Sequence, residues 1–220
     1  MQIIVSEEIR QRCPQFKGAA VLADVRNTDK NDVLWTEIAH FIEEYRLRYT
    51  PDSIKQMPSI EATREVYKRC GKDPSRYRPS GEALVRRTLK GHDLYQVSTL
   101  VDLINLASIA YGYSIGGFDA DLIQGDMLTL GIGREGEPYE GIGRGELNIQ
   151  GLPVYRDEMG GIGTPTSDHE RTKITLQTTR LLSIVNGYDG NSENVLSCAQ
   201  FIQDLLRRYS ESDGGTIIVF

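Results

Sequence analysis

Apolar residues recur along this chain with two periods, one typical of strands and one typical of helices. Residues 3–5 and 19–25 are short apolar runs, and they predict two buried strands joined by a connection that contains Pro14. After Asn31, a residue type that caps helices, apolar side chains follow one stripe at helical spacing as far as Tyr49. The N-terminal part of the chain therefore predicts two strands and then an amphipathic helix.

Three more helices are predicted in the middle of the chain. Residues 59–69 and 80–90 have helical spacing, and a glycine follows each of them. Residues 98–111 are apolar around almost the whole helix axis, which is typical of a buried helix. Its polar residues recur at every third position, so we expect Asp102 and Asn105 to be buried and hydrogen-bonded, either to neighbouring backbone or at a cavity.

Glycine is concentrated in the segment 112–163, which holds 14 of the 22 glycines. Apolar residues persist between these glycines, so the segment predicts short antiparallel strands rather than a linker. The elements predicted from here onwards are strands at 127–130, 152–155, 173–178, 181–185 and 216–220 and a helix at 192–209.

Helices and strands are thus mixed without regular alternation, which indicates an α+β fold. We expect an α/β sandwich with a mixed, largely antiparallel sheet and flanking helices. A chain of this length fits a single domain over residues 1–220. Within it, residues 1–60 supply the first strands and helix, residues 61–190 the core with the motifs, and residues 191–220 a final helix and strand.

Composition is that of an ordinary soluble protein, with 39% apolar and 25% charged residues. No apolar run is long enough to span a membrane, and the first residues lack the order of a signal peptide. We therefore expect a cytoplasmic protein with no membrane partner. The net charge of −6 argues against sequence-blind binding to nucleic acid, so DNA is not an expected partner.

Metal and cofactor chemistry have little support in the sequence. Three widely spaced cysteines and three histidines form no metal-ligand motif and no disulfide framework. Residues 131–136 match the pattern G-x-G-x-x-G, but Pro138 and further glycines follow where a dinucleotide site needs a helix. We expect a glycine hairpin there, with no metal and no cofactor.

Basic residues cluster between Arg64 and Lys90, where nine cationic side chains face three acidic ones. The segment carries +6 in a chain that is otherwise strongly acidic. Such asymmetry favours a surface that faces phosphate, although a solvated helix face would have the same composition.

Side chains that can take part in catalysis are most concentrated at residues 167–172. His169 is flanked by Asp168 and Glu170. A histidine can exchange protons near neutral pH, and a neighbouring carboxylate can orient its ring. Arg171 could stabilise developing negative charge and Thr172 could orient a water. We take Asp168, His169, Arg171 and Thr172 as candidate catalytic residues; a polar turn is the alternative.

Five stretches together resemble one known family. They are residues 71–80 (GKDPSRYRPS), 84–87 (LVRR), 100–105 (LVDLIN), 116–121 (GGFDAD) and 136–137 (GE). In this order and spacing they resemble the B3/B4 domain of the phenylalanyl-tRNA synthetase β subunit, and more closely the free-standing B3/B4 proteins of bacteria.

The resemblance implies an editing site that hydrolyses an amino acid wrongly esterified to tRNA. It implies a pocket for the amino acid moiety, and a basic rim over which the tRNA 3′ end enters. The implied pocket residues are Asn105, Gly116, Phe118, Glu137 and Gln177, and the implied rim residues are Lys72, Arg76, Arg78, Arg86 and Arg87. Gly116 stands where the synthetases have a pocket histidine, and Gln177 where they have a glutamate, so retention of editing is an open question.

Three functions remain open from the sequence. The first is a trans-acting aminoacyl-tRNA deacylase, which would be an ester hydrolase without synthetase activity. The second is a non-catalytic module that binds tRNA or an amino acid. The third is a small-molecule binding protein that reuses the fold.

Overall fold

Two four-stranded sheets, one short two-stranded ladder and six α-helices build the chain, and the computed structural model describes every residue from 1 to 220. The helices are α1 (Glu7–Arg12), α2 (Asp32–Arg48), α3 (Pro58–Arg69), α4 (Ser80–Leu89), α5 (Thr99–Tyr111) and α6 (Ser192–Tyr209). The strands are β1 (Gln2–Val5), β2 (Lys17–Asp24), β3 (Ile115–Asp119), β4 (Met127–Ile132), β5 (Glu140–Gly141), β6 (Gly145–Glu146), β7 (Pro153–Arg156), β8 (Gly161–Gly163), β9 (Arg180–Gly187) and β10 (Thr216–Val219).

The first sheet has the order β1-β4-β7-β8, and the second has the order β10-β2-β9-β3. Only β1 and β4 pair in parallel, and every other ladder is antiparallel. The prediction of an α+β fold with largely antiparallel pairing is therefore confirmed, but the strands form two main sheets where one was expected. No helix is both long and apolar enough to cross a membrane.

The alternating side chains of β9 show how the layers pack. Leu181 and Val185 belong to the larger apolar core, beneath α2, α5 and α6. Leu182 and Ile184 point to the opposite side and belong to a second core, which they share with strands of the first sheet. Helices cover one face of the second sheet and the first sheet covers the other, so the predicted sandwich is confirmed.

Helix boundaries follow the capping residues that the sequence contains. The side chain of Asn31 accepts a hydrogen bond from the N–H of Leu34 and caps α2, as expected. Gly112 ends α5 in a left-handed conformation, with φ of 72°, which glycine adopts without strain.

Three sequence predictions of elements are wrong or incomplete. Residues 173–178 form a turn instead of a strand, because the hydroxyl of Thr178 accepts the N–H of Thr175 and closes the loop. The connection that contains Pro14 holds the short helix α1, which Ser6 caps. Strand β3 was missed because Gly116 and Gly117 lie in it, and glycine is depleted in strands.

The polar side of α5 is only partly buried. Asp102 is buried, and its carboxylate accepts hydrogen bonds from the Trp35 indole at 2.7 Å and from the Val97 N–H at 3.0 Å. Asn105 is half-buried and its side chain forms no hydrogen bond, so the expectation for Asn105 is wrong. Asn105 lies three helix positions after Asp102, so its side chain points about 60° away from that of Asp102 and has different neighbours.

These two residues supply a matched pair for measuring stability. Asp102→Ala should lower the free energy of unfolding by about 1–3 kcal/mol, because it leaves the Trp35 and Val97 donors without an acceptor. Asn105→Ala removes no hydrogen bond and should change it by less than about 0.5 kcal/mol. Urea denaturation of both variants tests the difference, and equal losses would contradict it.

Candidate functional site

Residues 167–169 run in extended conformation between two strands. The N–H of His169 donates to Ile162 O at 2.8 Å on one side, and Asp168 O accepts from the N–H of Ile142 at 3.0 Å on the other. Consecutive side chains of an extended segment point to opposite sides. Asp168 and His169 therefore face different surroundings, although they are neighbours in the sequence.

The Asp168 carboxyl group meets the open edge of β3. Its Oδ2 accepts a hydrogen bond from the Gly117 N–H at 3.0 Å, whereas Oδ1 accepts none. A Cβ atom added at Gly163 would lie 3.0 Å from Oδ1, and one added at Gly116 would lie 3.5 Å from it. Glycine at these positions makes room for the carboxyl group between the two sheets.

The pKa of the Asp168 carboxyl group lies well above its ordinary value. Burial raises its pKa to about 7, and the Gly117 hydrogen bond only partly opposes this shift. No cation forms an ion pair with it. Near neutral pH the group is present in both protonation states, so it can both take and give a proton.

His169 lies on the other side of the segment, at the wall of an open cavity. Its ring packs edge-on against Tyr139, with ring centroids 4.9 Å apart. Its Nδ1 accepts the Arg171 N–H at 2.9 Å, so the neutral ring carries its proton on Nε2. Burial, and then the charge of Arg171, lower the pKa of His169. The cavity has a volume of about 480 Å³ and is lined by Pro138, Tyr139, Glu140, Glu146 and His169.

The side chains of Arg171 and Thr172 point away from both groups, although their backbone N–H groups donate to His169. The guanidinium of Arg171 forms two hydrogen bonds of 2.9 Å with the Asp157 carboxylate. Burial alone would raise the pKa of Asp157, but these bonds and two backbone N–H groups hold it below its ordinary value. Thr172 is fully buried and its hydroxyl has no partner. Neither residue is placed to stabilise an anion or orient a water at the cavity, which corrects the roles expected of them.

Two of the five expected pocket residues, Gly116 and Phe118, lie beside the Asp168 carboxyl group. The Phe118 ring is buried, and it fills the space that a Cβ atom at Gly116 or Gly163 would need, at 2.7 and 2.4 Å. Glu137 instead forms an ion pair with Arg156 at 2.6 Å, and Gln177 is exposed in the turn after Thr175. No hydrogen bond or ion pair joins Asn105, Glu137 or Gln177 to Asp168 or His169.

Lys72 does not lie on the basic surface where the sequence predicted it. Its ammonium group donates to the carbonyl oxygens of Asn148 at 2.8 Å and Gln150 at 2.7 Å, and it lies 3.8 Å from the Tyr77 ring centroid. Lys72 is buried, so its charge is satisfied inside the chain.

The other basic side chains are arranged around one buried acid. Glu82 on α4 is almost fully buried and pairs with Arg64 at 2.8 Å, Arg86 at 2.9 Å and Arg78 at 3.6 Å. Three guanidinium groups around one carboxylate leave a local charge of +2. Arg76 is exposed and forms no ion pair or hydrogen bond. Four of the five expected rim residues thus remain near the surface.

Sequence reasoning missed Tyr139 and Gly163. Tyr139 follows a proline in an irregular segment, and no pattern of apolar or polar positions singles it out. Gly163 reaches Asp168 only because the chain returns on itself between β8 and residue 168. A sequence without aligned relatives carries no signal for either contact.

Comparison with known proteins identifies the family. A family model of the B3/4 domain matches residues 62–208. The chain belongs to the B3/4 domain family. The matched residues include every candidate site residue named above, and the resemblance inferred from the sequence is confirmed.

Among solved structures, an N-terminal fragment of the phenylalanyl-tRNA synthetase β-subunit from Pyrococcus horikoshii is similar to this B3/4 chain. The identity is 15% and the TM-score is 0.49, and the alignment covers 98% of this chain and 50% of that fragment. The chain therefore spans about half the length of the fragment. No curated protein matches the sequence.

The pKa of Asp168 predicts an unusual dependence of stability on pH. Because its folded-state pKa exceeds the unfolded-state value, folding takes up a proton between about pH 4 and 7, and this group's contribution to stability falls as pH rises through that window. Asp168→Asn should therefore be more stable than the parent at pH 8, by about 1–4 kcal/mol, and nearly equal at pH 4.

Asp157→Asn is the matched control with the opposite sign. The pKa of Asp157 is lowered in the folded state, so its ion pair stabilises the fold at neutral pH and loses this effect as pH falls. This variant should be less stable than the parent at pH 7, with a gap that closes in acid. Urea denaturation across pH 4–8 measures both, and a pH-independent gap for Asp168→Asn would contradict the assignment.

Proposed function

We propose that this B3/4 protein binds tRNA and hydrolyses the ester bond of an amino acid wrongly attached to it. The observation that carries the proposal is the half-buried Asp168, whose carboxyl group has one oxygen free of hydrogen bonds and a pKa of about 7. A carboxyl group with this pKa can act as a general base at neutral pH, and such perturbed groups cluster at functional sites.

The proposed reaction needs only water as the second reactant. Ionised Asp168 takes a proton from a water while the water oxygen attacks the ester carbonyl carbon. The bond between that carbon and the ribose oxygen then breaks, the proton passes to the ribose oxygen, and free amino acid and tRNA result. An aminoacyl ester is already reactive, so positioning the water and polarising the carbonyl supply the catalysis without a cofactor.

The cavity beside His169 suits the amino acid moiety. A volume of about 480 Å³ lies in the range of small-molecule sites, and Tyr139 gives it an aromatic wall. Asp168 does not line this cavity and lies behind the Tyr139 wall, so the ester bond would have to extend past Tyr139 to reach the carboxyl group. The Nε2–H of His169 is a donor available to a carbonyl oxygen inside the cavity.

The arginines of α4 and the segment before it are the proposed contacts for the tRNA backbone. Glu82 holds Arg78 and Arg86 in place, so less conformational entropy is lost when they meet a phosphate. Arg76 and Arg87 add two further charges. Their concentration in an otherwise acidic chain supports a local, phosphate-facing surface.

One observation favours a second candidate, a module that binds tRNA without hydrolysing it. The Phe118 ring fills the space between Gly116 and Gly163, directly beside the free oxygen of Asp168. A substrate would have to reach this oxygen past the ring. Deacylation assays separate the two candidates, because only the first produces free amino acid.

Removal of two exposed arginines should weaken tRNA binding. The double variant Arg76→Ala, Arg78→Ala should lower the slope of log affinity against log salt by about one unit for each phosphate that is no longer neutralised. Arg26→Ala removes an exposed arginine outside the basic segment and is the matched control, with an expected slope equal to that of the parent. Filter binding across a salt series measures this, and parent behaviour in the double variant would exclude the surface.

Removal of the Asp168 carboxylate or of the His169 ring should slow ester hydrolysis on mischarged tRNA. Across a panel of charged tRNAs, Asp168→Asn and His169→Ala should each lower the rate above background by about 10²-fold or more. The parent rate should rise with pH through about 7, where Asp168 ionises, and this rise should disappear in Asp168→Asn.

His40→Ala removes an exposed histidine on α2 and should keep the parent rate. Parent-like turnover in Asp168→Asn would eliminate the carboxyl group as the base. A parent that binds tRNA but releases no amino acid from any member of the panel would establish the binding module instead.

A further inference from the structure

The loop between α4 and α5 presents an aromatic side chain that packs on a cation. Tyr95 is 70% exposed, and its hydroxyl forms no hydrogen bond within the chain. The Arg87 guanidinium carbon lies 4.1 Å from the centroid of the Tyr95 ring, so it covers one ring face. At this exposure the opposite face is open to solvent.

The loop that carries Tyr95 is fixed at several points. Arg87 Nε donates to Asp93 O at 2.5 Å, which locks the guanidinium against the loop. Arg46 of α2 donates to His92 O in the loop at 3.5 Å, and the N–H of Val97 donates to buried Asp102 at 3.0 Å. An exposed ring on a fixed loop loses little conformational entropy when a ligand covers it.

The positive charges around this ring favour a ligand with phosphate groups, and the ring itself favours exposed aromatic groups such as unpaired bases. Arg87 and the exposed side chain of Lys90 lie at the end of the +6 segment, and Asp93 is the one acidic residue in residues 87–97. Single-stranded nucleic acid combines phosphates with exposed base faces, and proteins bind it by stacking bases on aromatic and arginine side chains.

We propose that Tyr95, backed by Arg87, is a stacking site for one unpaired RNA base. This rests on the proposed tRNA binding and adds the class of group that is recognised, an unpaired nucleobase of a single-stranded end. The open face of the ring takes the base, while Arg87 supports the other face and its charge attracts the adjacent phosphate. The stacking is independent of base identity because every base has a π-face.

Binding of two RNA probes to the full chain tests the site. Tyr95→Ala should bind a short single-stranded RNA roughly five- to 150-fold more weakly, the usual effect of removing one stacked base, with an unchanged salt slope because the charge stays the same. Tyr95→Phe should keep the parent affinity. A blunt RNA duplex should bind Tyr95→Ala and the parent equally, because its bases stack on one another.

A fluorescence variant reports the stacking directly. Tyr95→Trp adds one indole to a chain whose only tryptophan, Trp35, is bonded to Asp102, so the difference from the parent spectrum isolates the new ring. Single-stranded RNA should quench this added emission. Tyr49→Ala removes another exposed tyrosine outside the basic segment and should leave RNA affinity unchanged.

Three results would overturn the site. Parent affinity of Tyr95→Ala for single-stranded RNA would remove the stacking site while leaving the proposed tRNA binding intact. Equal weakening for single-stranded and duplex RNA would show that the ring does not read an unpaired base. A parent that binds neither of these RNAs would exclude the site, and one that also fails to bind tRNA would exclude the proposed function. Thermal unfolding of each variant shows whether weaker binding reflects misfolding.

Discussion

Close approach of the two sheets at Phe118 is the constraint on which the candidate site depends. Gly116 and Gly163 lack the Cβ atoms that would collide with this ring, so β3 and β8 can enclose it. Their approach brings Asp168 onto the free N–H of Gly117, a backbone donor that would otherwise stay unpaired at a buried edge. The same packing that builds the core thus partly removes a carboxyl group from water and makes its charged form costly.

Charge in this chain is organised more by burial than by sequence order. Lys72 belongs to the basic segment, yet it donates to two carbonyl oxygens inside the protein. Glu82 belongs to the same segment, and its buried carboxylate forms ion pairs with three arginines that lie near the protein surface. The net charge of the segment therefore does not give the electrostatic potential at its surface. Each side chain contributes to that potential according to where its charged group lies.

Local patterns allowed most helices and several strands to be predicted, because a cap such as Asn31 and a stripe of apolar residues act over a few positions. The strand expected at residues 173–178 failed for a related reason: alternation indicates a strand only where a partner strand exists. The site was less predictable. Asp168 and His169 were predicted as candidate catalytic residues from their side-chain chemistry. Their opposite orientations and the contact of Asp168 with Gly117 depend on long-range strand pairing, which no local sequence pattern predicts.

The order of strands in the second sheet has a consequence for how the chain is made. Strand β2 lies near the N-terminus, yet both of its neighbours, β9 and β10, lie in the C-terminal part of the chain. During synthesis this largely buried strand has two unpaired edges until β9 and β10 have been made. Such distant pairing slows folding and leaves an apolar strand open to aggregation before β9 is made.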